Sequence, residues 1–242
     1  MNLSQGFIMQ HKCSDCRWRK QHYFCSLGAS LVQAFESLKI THAYSKGTML
    51  FFEGQPSNGV YMLCCGRVKL TTYSKDGKAM ILRVAEPGEI LGLSATVSDG
   101  NYEATAEVMD PCQVNFIRKR DFIAFINEHS QPALNAIRQL SENYHTAYSQ
   151  VRSLGLSATV SDKLAGLLLD WCEQNGNGQM ELHLRMPYTH EEIAEMIGST
   201  RETVSRLLKN FRNRDLITLR GSDLYIPNRK RLEDAIGVRV QM

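Results

Sequence analysis

The stretch Thr189-His190-Glu191-Glu192-Ile193-Ala194-Glu195-Met196-Ile197-Gly198-Ser199-Thr200-Arg201-Glu202-Thr203-Val204-Ser205-Arg206-Leu207-Leu208 decides how this chain reads. Thr189 followed three residues later by Glu192 is a capping-box pattern. In it the hydroxyl and the carboxylate each satisfy an amide that a helix start leaves unpaired. A helix is expected from there, with Ile193, Ala194 and Ile197 on its inner face. Gly198 permits a tight turn. Ser199 or Thr200 then caps a second helix whose buried face is Val204, Leu207, Leu208 and Phe211. Two short helices joined through a glycine turn make a helix-turn-helix. The first residues of the second helix of such a motif approach base edges in the DNA major groove.

Here those residues are Arg201, Glu202, Ser205 and Arg206, one turn apart on the exposed face. Arginine grips O6 and N7 of guanine and glutamate accepts from N4 of cytosine, so a half-site containing G·C pairs is expected. Thr189, Ser199, Thr200 and Lys209 complete the candidate DNA-contacting set, with Lys209 placed for phosphate. Past the motif, Leu216 to Leu219 and Leu224 to Ile226 flank Arg220-Gly221-Ser222-Asp223. That pattern predicts a hairpin, a wing beside the phosphate backbone. From Arg201 to Arg231 nine basic residues face three acidic ones, a local charge of +6 within a chain whose net charge is +3. Such a segment suits a polyanion. The competing view is a three-helix bundle with a solvated charged face.

Working outward, 242 residues suffice for one or two domains. A content of 43% hydrophobic, 22% charged and 8% aromatic residues is that of an ordinary globular chain and excludes a disordered or collagen-like one. No run approaches the roughly 18 apolar residues of a membrane span. Met1 to Gln10 lacks a basic start followed by an apolar core, so no secretory signal is read and a cytoplasmic protein is expected. Seven cysteines in such a chain do not suggest a disulfide framework.

Between Ile40 and Phe116 short apolar runs alternate with turn signals: Lys46-Gly47, Glu53-Gly54, Asn58-Gly59, Cys65-Gly66, Asp76-Gly77, Pro87-Gly88 and Asp99-Gly100. Evenly spaced short strands of this kind indicate an all-β sandwich or barrel. Asp76-Gly77 is the clearest hairpin signal, read as a two-residue turn with both central residues at positive φ. Arg118 to Asn127 reads as a short helix. From Gln131 to Leu154 the apolar period turns helical through Ala133, Ile137, Leu140, Tyr144, Ala147, Val151 and Leu154. One apolar stripe can cover the β domain and the other can meet a partner helix. The candidate dimer interface is Ile137, Leu140, Tyr144, Ala147, Val151 and Leu154, and Gly155 is expected to end the helix before a hinge at 157–161. A further helix is expected over Ser161 to Gln174, capped by Ser161.

With these motifs in place, the chain resembles the CRP/FNR family of bacterial transcription regulators. Ser199 to Leu208 is close to that family's recognition-helix signature, and Gly54-Gln55, Gly66-Arg67-Val68 and Pro87-Gly88-Glu89-Ile90-Leu91-Gly92 resemble its cyclic-nucleotide-binding-type β-roll. The resemblance covers roughly residues 25–230. The reading is an α+β chain of four parts: a Cys-rich N-terminal arm (1–28), a β-roll (jelly roll) sensor domain (29–130), a dimerisation helix (131–156) and a C-terminal winged helix-turn-helix that binds DNA (157–242). The resemblance implies a homodimer on double-stranded DNA, a palindromic operator and contacts with RNA polymerase.

It also bears on the signal. In cyclic-AMP-responsive members a Gly-Glu pair is followed about ten residues later by Arg-Ser, which holds the cyclic phosphate. Here Gly88-Glu89 is present, but the later stretch is Asp99-Gly100-Asn101-Tyr102-Glu103, with no arginine. The Thr-Ser pair that those members carry on the long helix appears here as about Val151-Arg152. An anion without its bidentate arginine loses its best partner, which argues against cyclic AMP.

Cys13-Ser14-Asp15-Cys16 is a Cys-x2-Cys pair, and Cys25 follows after eight residues. By resemblance to the FNR branch, three N-terminal cysteines and one from the β-roll ligate a [4Fe–4S] cluster, and Cys112 falls at the fourth position. Four soft thiolates suit iron–sulfur or tetrahedral zinc. The gap from Cys16 to Cys25 exceeds that of the branch, and His11 and His22 flank the set, so zinc or no metal stays open. Cys64, Cys65 and Cys172 are expected to be structural. The function expected is a regulator responding to oxygen, redox state or nitric oxide through an Fe–S cluster. The alternatives are a non-cyclic-AMP ligand in the β-roll and an effector-independent DNA binder with structural zinc. An enzyme is not expected: a cupin-like metal site needs histidines on adjacent strands, and His42 is the one histidine between Ile40 and Phe116.

Overall fold

Short strands between glycine turns build the first half of the chain. The computed structural model describes residues 12–16, 24–156, 159–175, 182–186, 188–221 and 223–235. They divide into two units, Met1–Thr146 and Ala147–Met242. In the first, eight strands run β1 Ile40–Tyr44, β2 Met49–Phe51, β3 Gly59–Cys65, β4 Val68–Tyr73, β5 Ala79–Ala85, β6 Ile90–Leu91, β7 Thr105–Val108 and β8 Cys112–Arg118. They form two antiparallel four-stranded sheets, in the orders β1-β8-β3-β6 and β2-β7-β4-β5, with the short helix α2 (Leu93–Val97) between β6 and β7. Leu63, Val68, Leu91, Ala106, Cys112 and Val114 are sealed in a common core with Phe51 and Tyr102, whose rings stack 4.0 Å apart.

The expected hairpin at Asp76-Gly77 joins β4 to β5, with a different turn. Tyr73 pairs with Ala79, and Ser74 donates its amide to Lys78, so three residues make the turn. Only Gly77 has positive φ, at 77°. That is the longer hairpin loop closed by one left-handed glycine. Gly66, at φ +81°, turns β3 into β4, and a Cβ there would lie 2.7 Å from Cys112 Cβ and 2.8 Å from the Pro111 carbonyl oxygen.

A second core covers the outer face of the first sheet. Val60 and Met62 of β3 and Ile117 of β8 meet Phe35 of α1 (Ala29–Leu38), Phe122 and Phe125 of α3 (Lys119–Glu128), and Ala136 of α4 (Ser130–Leu156). Phe24 and Leu27 are buried there too, each 2% exposed. The end of the Cys-rich arm thus docks into a core built by the sheet and its covering helices. Helix α1 had no counterpart in the sequence reading.

Helix α4 continues through Gly155, so that glycine does not end it. Its inner face is more polar than the apolar stripe implied. Asn135 and Gln139 are buried beside Ala136, and Leu140 packs on the second core. The Gln139 amide accepts from the Ile90 N–H (3.1 Å) and donates to the Ile90 carbonyl (2.6 Å). It acts as a strand partner at β6, the sheet's edge, where the backbone would otherwise lack one.

The second unit holds α5 (Val160–Asn175), β9 (Leu182–Arg185), α6 (His190–Ile197), α7 (Arg201–Asn213), β10 (Thr218–Arg220), β11 (Asp223–Ile226) and α8 (Arg229–Ala235). Helix α5 is capped by Thr159 rather than Ser161: Asp162 donates its amide to Thr159 Oγ1 (3.2 Å) and accepts from the Thr159 amide (2.8 Å). The predicted wing is β10–β11, and β9 adds a third strand against β11. Leu164, Leu168, Ile193, Val204, Leu208, Phe211 and Leu224 share one core. Among the described residues no helix is long and apolar enough to cross a membrane. His11, His22, Ser157 of the expected hinge and the glycines of the loop at 176–178 lie outside the described residues.

Replacing Gly66 by alanine should destabilise the first unit by about 1–3 kcal/mol, because the new methyl must displace backbone at a left-handed φ. A urea denaturation midpoint lowered without a change in slope is the expected reading.

Candidate nucleic-acid interface and cysteine site

Local chemistry positions the two helices of the motif. Thr189 accepts from the Glu192 amide (3.2 Å) while the Glu192 carboxylate accepts from the Thr189 amide (2.7 Å), the expected capping box. Gly198 closes α6 at φ 65°, and its amide returns to the Ala194 carbonyl. Thr200, not Ser199, then caps α7 by accepting from the Thr203 amide. Val204, Leu208 and Phe211 face inward and Leu207 packs at the edge of the core. That leaves Arg201, Glu202, Arg206 and Lys209 on the open face of α7, all exposed.

Ser205 sits differently. It is half-buried, and its hydroxyl lies 2.8 Å from His190 Nδ1 at the start of α6. The pair ties the two helices together, so Ser205 serves the angle between them. Thr189 and Thr200 likewise spend their hydroxyls on caps. Ser199 is half-buried in the turn, and its amide donates to Ala194. Four of the eight candidates thus stand as free long side chains on one helix face. Arg212 and Arg214 are exposed beyond them and Arg220 is exposed at the tip of the wing. Two arginines, a glutamate and a lysine on a capped helix, with a wing, can read base edges and hold phosphate.

The polar side chains of the stretches weighed for cyclic-AMP binding are paired within the chain. Glu89 is ion-paired with Arg83 and accepts from the Glu86 amide (2.8 Å). Tyr102, in the stretch lacking the phosphate-binding arginine, is 2% exposed. Its hydroxyl donates to the Gly59 carbonyl (2.8 Å) and lies 2.7 Å from Asn58 Oδ1. Asp99 pairs with Lys119, which holds its carboxyl below the ordinary carboxylate range by hydrogen bond and charge.

The cysteines divide between the two faces of the first sheet. Cys13 lies in a short 3-10 turn, Cys13–Asp15, whose amides at Cys13 and Ser14 donate to Glu36 of α1. Cys13 and Cys25 pack against the second core, and Lys39 Nζ donates to Cys13 Sγ at 3.4 Å. Burial pushes the Cys13 thiol up, against the pull of Lys39. Cys112 is fully buried in the core between the sheets, where burial and then Cys65 and Asp110 push its thiol up to about 12. The structure therefore does not bring Cys112 to the arm cysteines, because its strand position points it through the sheet to the opposite side. Cys64, read from sequence as structural, is the thiol turned toward the arm. Burial raises it most, and Cys13, Cys25 and Cys16 each add to the shift. Among the described residues no three His, Cys, Asp or Glu side chains already form a metal-holding group. None of the six described cysteines is in a disulfide, so the donor chemistry fits a thiolate-bound centre. The side chain of Cys172 lies outside the described residues.

On the outer side of α4, Leu134, Ile137, Tyr144, Tyr148 and Val151 are exposed, from 46% to 69%. Of the six expected interface residues, Ile137, Tyr144, Ala147 and Val151 are exposed, Leu154 is half-buried and Leu140 is turned to the roll.

Comparison with known proteins agrees with this architecture. The Crp-like helix-turn-helix domain family matches residues 162–235, and the cyclic nucleotide-binding domain family matches residues 41–129. The nitrogen fixation regulation protein FixK of Bradyrhizobium diazoefficiens is 28% identical over 215 residues, covering 86% of this chain and 87% of its own. The cAMP-activated global transcriptional regulator CRP of Pasteurella multocida is 25% identical, covering 76% and 88%. Among solved structures, FixK2 from Bradyrhizobium japonicum superposes with a TM-score of 0.69 at 22% identity, over 81% of this chain and 96% of its own. A CooA mutant from Carboxydothermus hydrogenoformans gives 0.70 at 21% identity, over 87% and 91%. The chain belongs to the CRP/FNR family. It is a DNA-binding transcription regulator of that type, in a family of regulators rather than enzymes.

Arg206→Ala should cost about 1–3 kcal/mol on the specific site and relax discrimination at one base pair. Lys209→Ala should weaken all sequences alike and reduce the salt slope by about one. Quantitative footprinting on matched and mutated sites separates the two, and an unchanged Arg206→Ala footprint would remove α7 from base reading. In iodoacetamide labelling of the native protein at pH 8, Cys112 should stay unmodified, because its sulfur is fully buried and burial pushes the thiol up, away from the reactive thiolate.

Proposed function

We propose that this regulator binds a palindromic operator as a homodimer and responds to oxygen, redox state or nitric oxide through an iron–sulfur centre on its N-terminal arm. The dimer rests on the apolar outer stripe of α4. Five large apolar side chains recur there along one helix and stay exposed among the described residues. A second copy of the same stripe is their natural cover, and two-fold symmetry then asks for a two-fold operator. Contacts with RNA polymerase follow from the family alone.

One observation carries the sensing reading. The core that buries Phe24 and Leu27 and receives Cys13 and Cys25 is the same core that receives Ala136 and Leu140 of α4. A change at the arm sulfurs therefore acts on packing shared with the helix that carries the dimer stripe. When bound, the centre would supply a redox-labile, oxygen- and nitric-oxide-sensitive set of iron–thiolate bonds held by Cys13, Cys16 and Cys25. The chain's own part is to exclude water with Phe24, Phe35 and Phe122, whose rings lie about the arm at centroid distances of 6.0 and 6.1 Å. Lys39 and Glu36 hold the Cys13 turn in place.

The test is the affinity of anaerobically purified protein for a palindromic site, before and after exposure to air or nitric oxide, with iron, sulfide and zinc measured on the same samples. Bound iron and sulfide with a DNA affinity that falls at least about tenfold on exposure, equivalent to 1.4 kcal/mol, is the expected result. Equal affinity in both states would end the sensing reading and leave the DNA-binding one intact.

A further inference from the structure

We propose that Cys64, not Cys112, supplies the fourth sulfur of the centre held by Cys13, Cys16 and Cys25. This rests on the reading of the arm as a metal-bound sensor and specifies its ligand set.

The strand geometry carries the argument. Side chains alternate faces along a strand. On β3, Val60 and Met62 belong to the core that receives Cys13 and Cys25, while Tyr61 and Leu63 belong to the core between the sheets. Cys64 lies on the Val60 and Met62 side: Asn115, the register partner of Met62, reaches its sulfur at 3.1 Å. The register against β8 slips at this point: Leu63 pairs with Val114 and Cys65 with Gln113, so Cys64 is the extra residue of a bulge. A bulge leaves one residue out of the ladder and re-aims its side chain. Cys65 takes no part, because its sulfur accepts from the Gln113 amide at 3.3 Å and neighbours Cys112.

The surroundings of Cys64 also suit a thiolate ligand. Asn115, opposite Met62 in register and 1% exposed, directs its Nδ2 to Cys64 Sγ at 3.1 Å. The Thr41 hydroxyl donates to the other end of that amide, Oδ1, at 2.8 Å, which orients the NH2 group toward sulfur. Lys39 Nζ makes the matching contact to Cys13 Sγ. Two N–H donors aimed at two sulfurs on the same side of the sheet are the outer contacts that fix metal-bound thiolates and lower the cost of their charge. A buried thiol with no metal stays protonated; a metal ion displaces that proton and turns the burial cost into part of the binding equilibrium. Each thiol that binds loses one proton, and no electron transfer is needed to form the bonds.

The experiment uses the full chain, reconstituted anaerobically with iron and sulfide, and in parallel with zinc or cobalt(II) alone. The variants are Cys64→Ser, Cys64→Ala, Cys112→Ser and Cys13→Ser, each checked for native circular dichroism. Iron and sulfide retained after desalting, and the visible spectrum, are the readouts. Cys64→Ser and Cys64→Ala should retain the metal at least about tenfold less well, as Cys13→Ser does, with Cys112→Ser equal to wild type. Full retention by a folded Cys64 variant, or loss in Cys112→Ser, overturns the assignment. Should both Cys64 variants fail to fold, cobalt-substituted Cys112→Ser decides. Sulfur-to-cobalt charge-transfer intensity of four thiolates upholds the proposal and that of three overturns it. Zinc bound through Cys64 with no iron uptake upholds Cys64 and removes the iron–sulfur reading. A wild-type chain that takes up no metal removes both.

Discussion

Phe24, Phe35, Phe122 and Phe125 form a chain of ring contacts with centroids 5.7–6.1 Å apart, and most of the first unit hangs on it. Each ring comes from a different segment or turn: the end of the arm, α1, and two positions on α3. Together with Val60, Met62 and Ile117 they cover the outer face of the β1-β8-β3-β6 sheet, which would otherwise be an apolar surface in water. Burying an aromatic side chain removes 150–250 Å² or so from solvent, about 4–6 kcal/mol at ~25 cal/mol per Å². The end of the arm is therefore docked by two residues, Phe24 and Leu27. Ala136 and Leu140 enter the same core, so the docking of the arm and the seating of α4 are one packing problem.

That coupling is reinforced by a polar contact. Gln139 satisfies both backbone groups of Ile90 at the sheet edge, directly after Glu89. A buried amide that closes two hydrogen bonds is costly to strip, since each unmet group forfeits its desolvation. The start of α4 is thereby held to the roll by packing on one side and by hydrogen bonds on the other. Its apolar outer stripe is left presented as a unit. In the DNA-binding unit the same economy appears on a smaller scale. Three threonine caps and the His190–Ser205 contact set the helix ends and their mutual angle, and α7 is free to display its arginines.

The helix-turn-helix was legible residue by residue. Its caps, its glycine turn and its inner face are relations between residues one turn apart, and the structure repeats them. The strand run between Ile40 and Phe116 was legible as a pattern, because turns need glycine where φ is positive. The turn at Asp76-Gly77 was read one residue too tight, since the dipeptide fits both a two- and a three-residue hairpin loop and strand register chooses between them. The cap of α5 was assigned to Ser161, two residues late, because Thr159 and Asp162 form a capping box with aspartate in place of glutamate. Helices α1 and α8 and strand β9 passed unread. They are short, and β9 is stabilised by pairing with β11 rather than by an alternation of its own.

The cysteines mark the boundary between the two kinds of information. By itself the sequence determined a chain of four parts with a DNA-reading helix, a long amphipathic helix, a strand-rich domain and a sulfur-rich arm, because caps, turns and helical periods act over three or four residues. Which sulfur could join the arm was decided by tertiary structure alone. Cys64 and Cys65 are adjacent and chemically identical, and contacts from a strand some fifty residues away, Asn115 to one and Gln113 to the other, show one turned toward the arm and the other toward Cys112. Ser205 was settled the same way, by a histidine on the neighbouring helix, and so was the inner face of α4, where a glutamine serves an exposed strand edge. In each case the partner is distant in sequence, and only the folded chain brings it within the few ångströms over which a hydrogen bond or a packing contact acts.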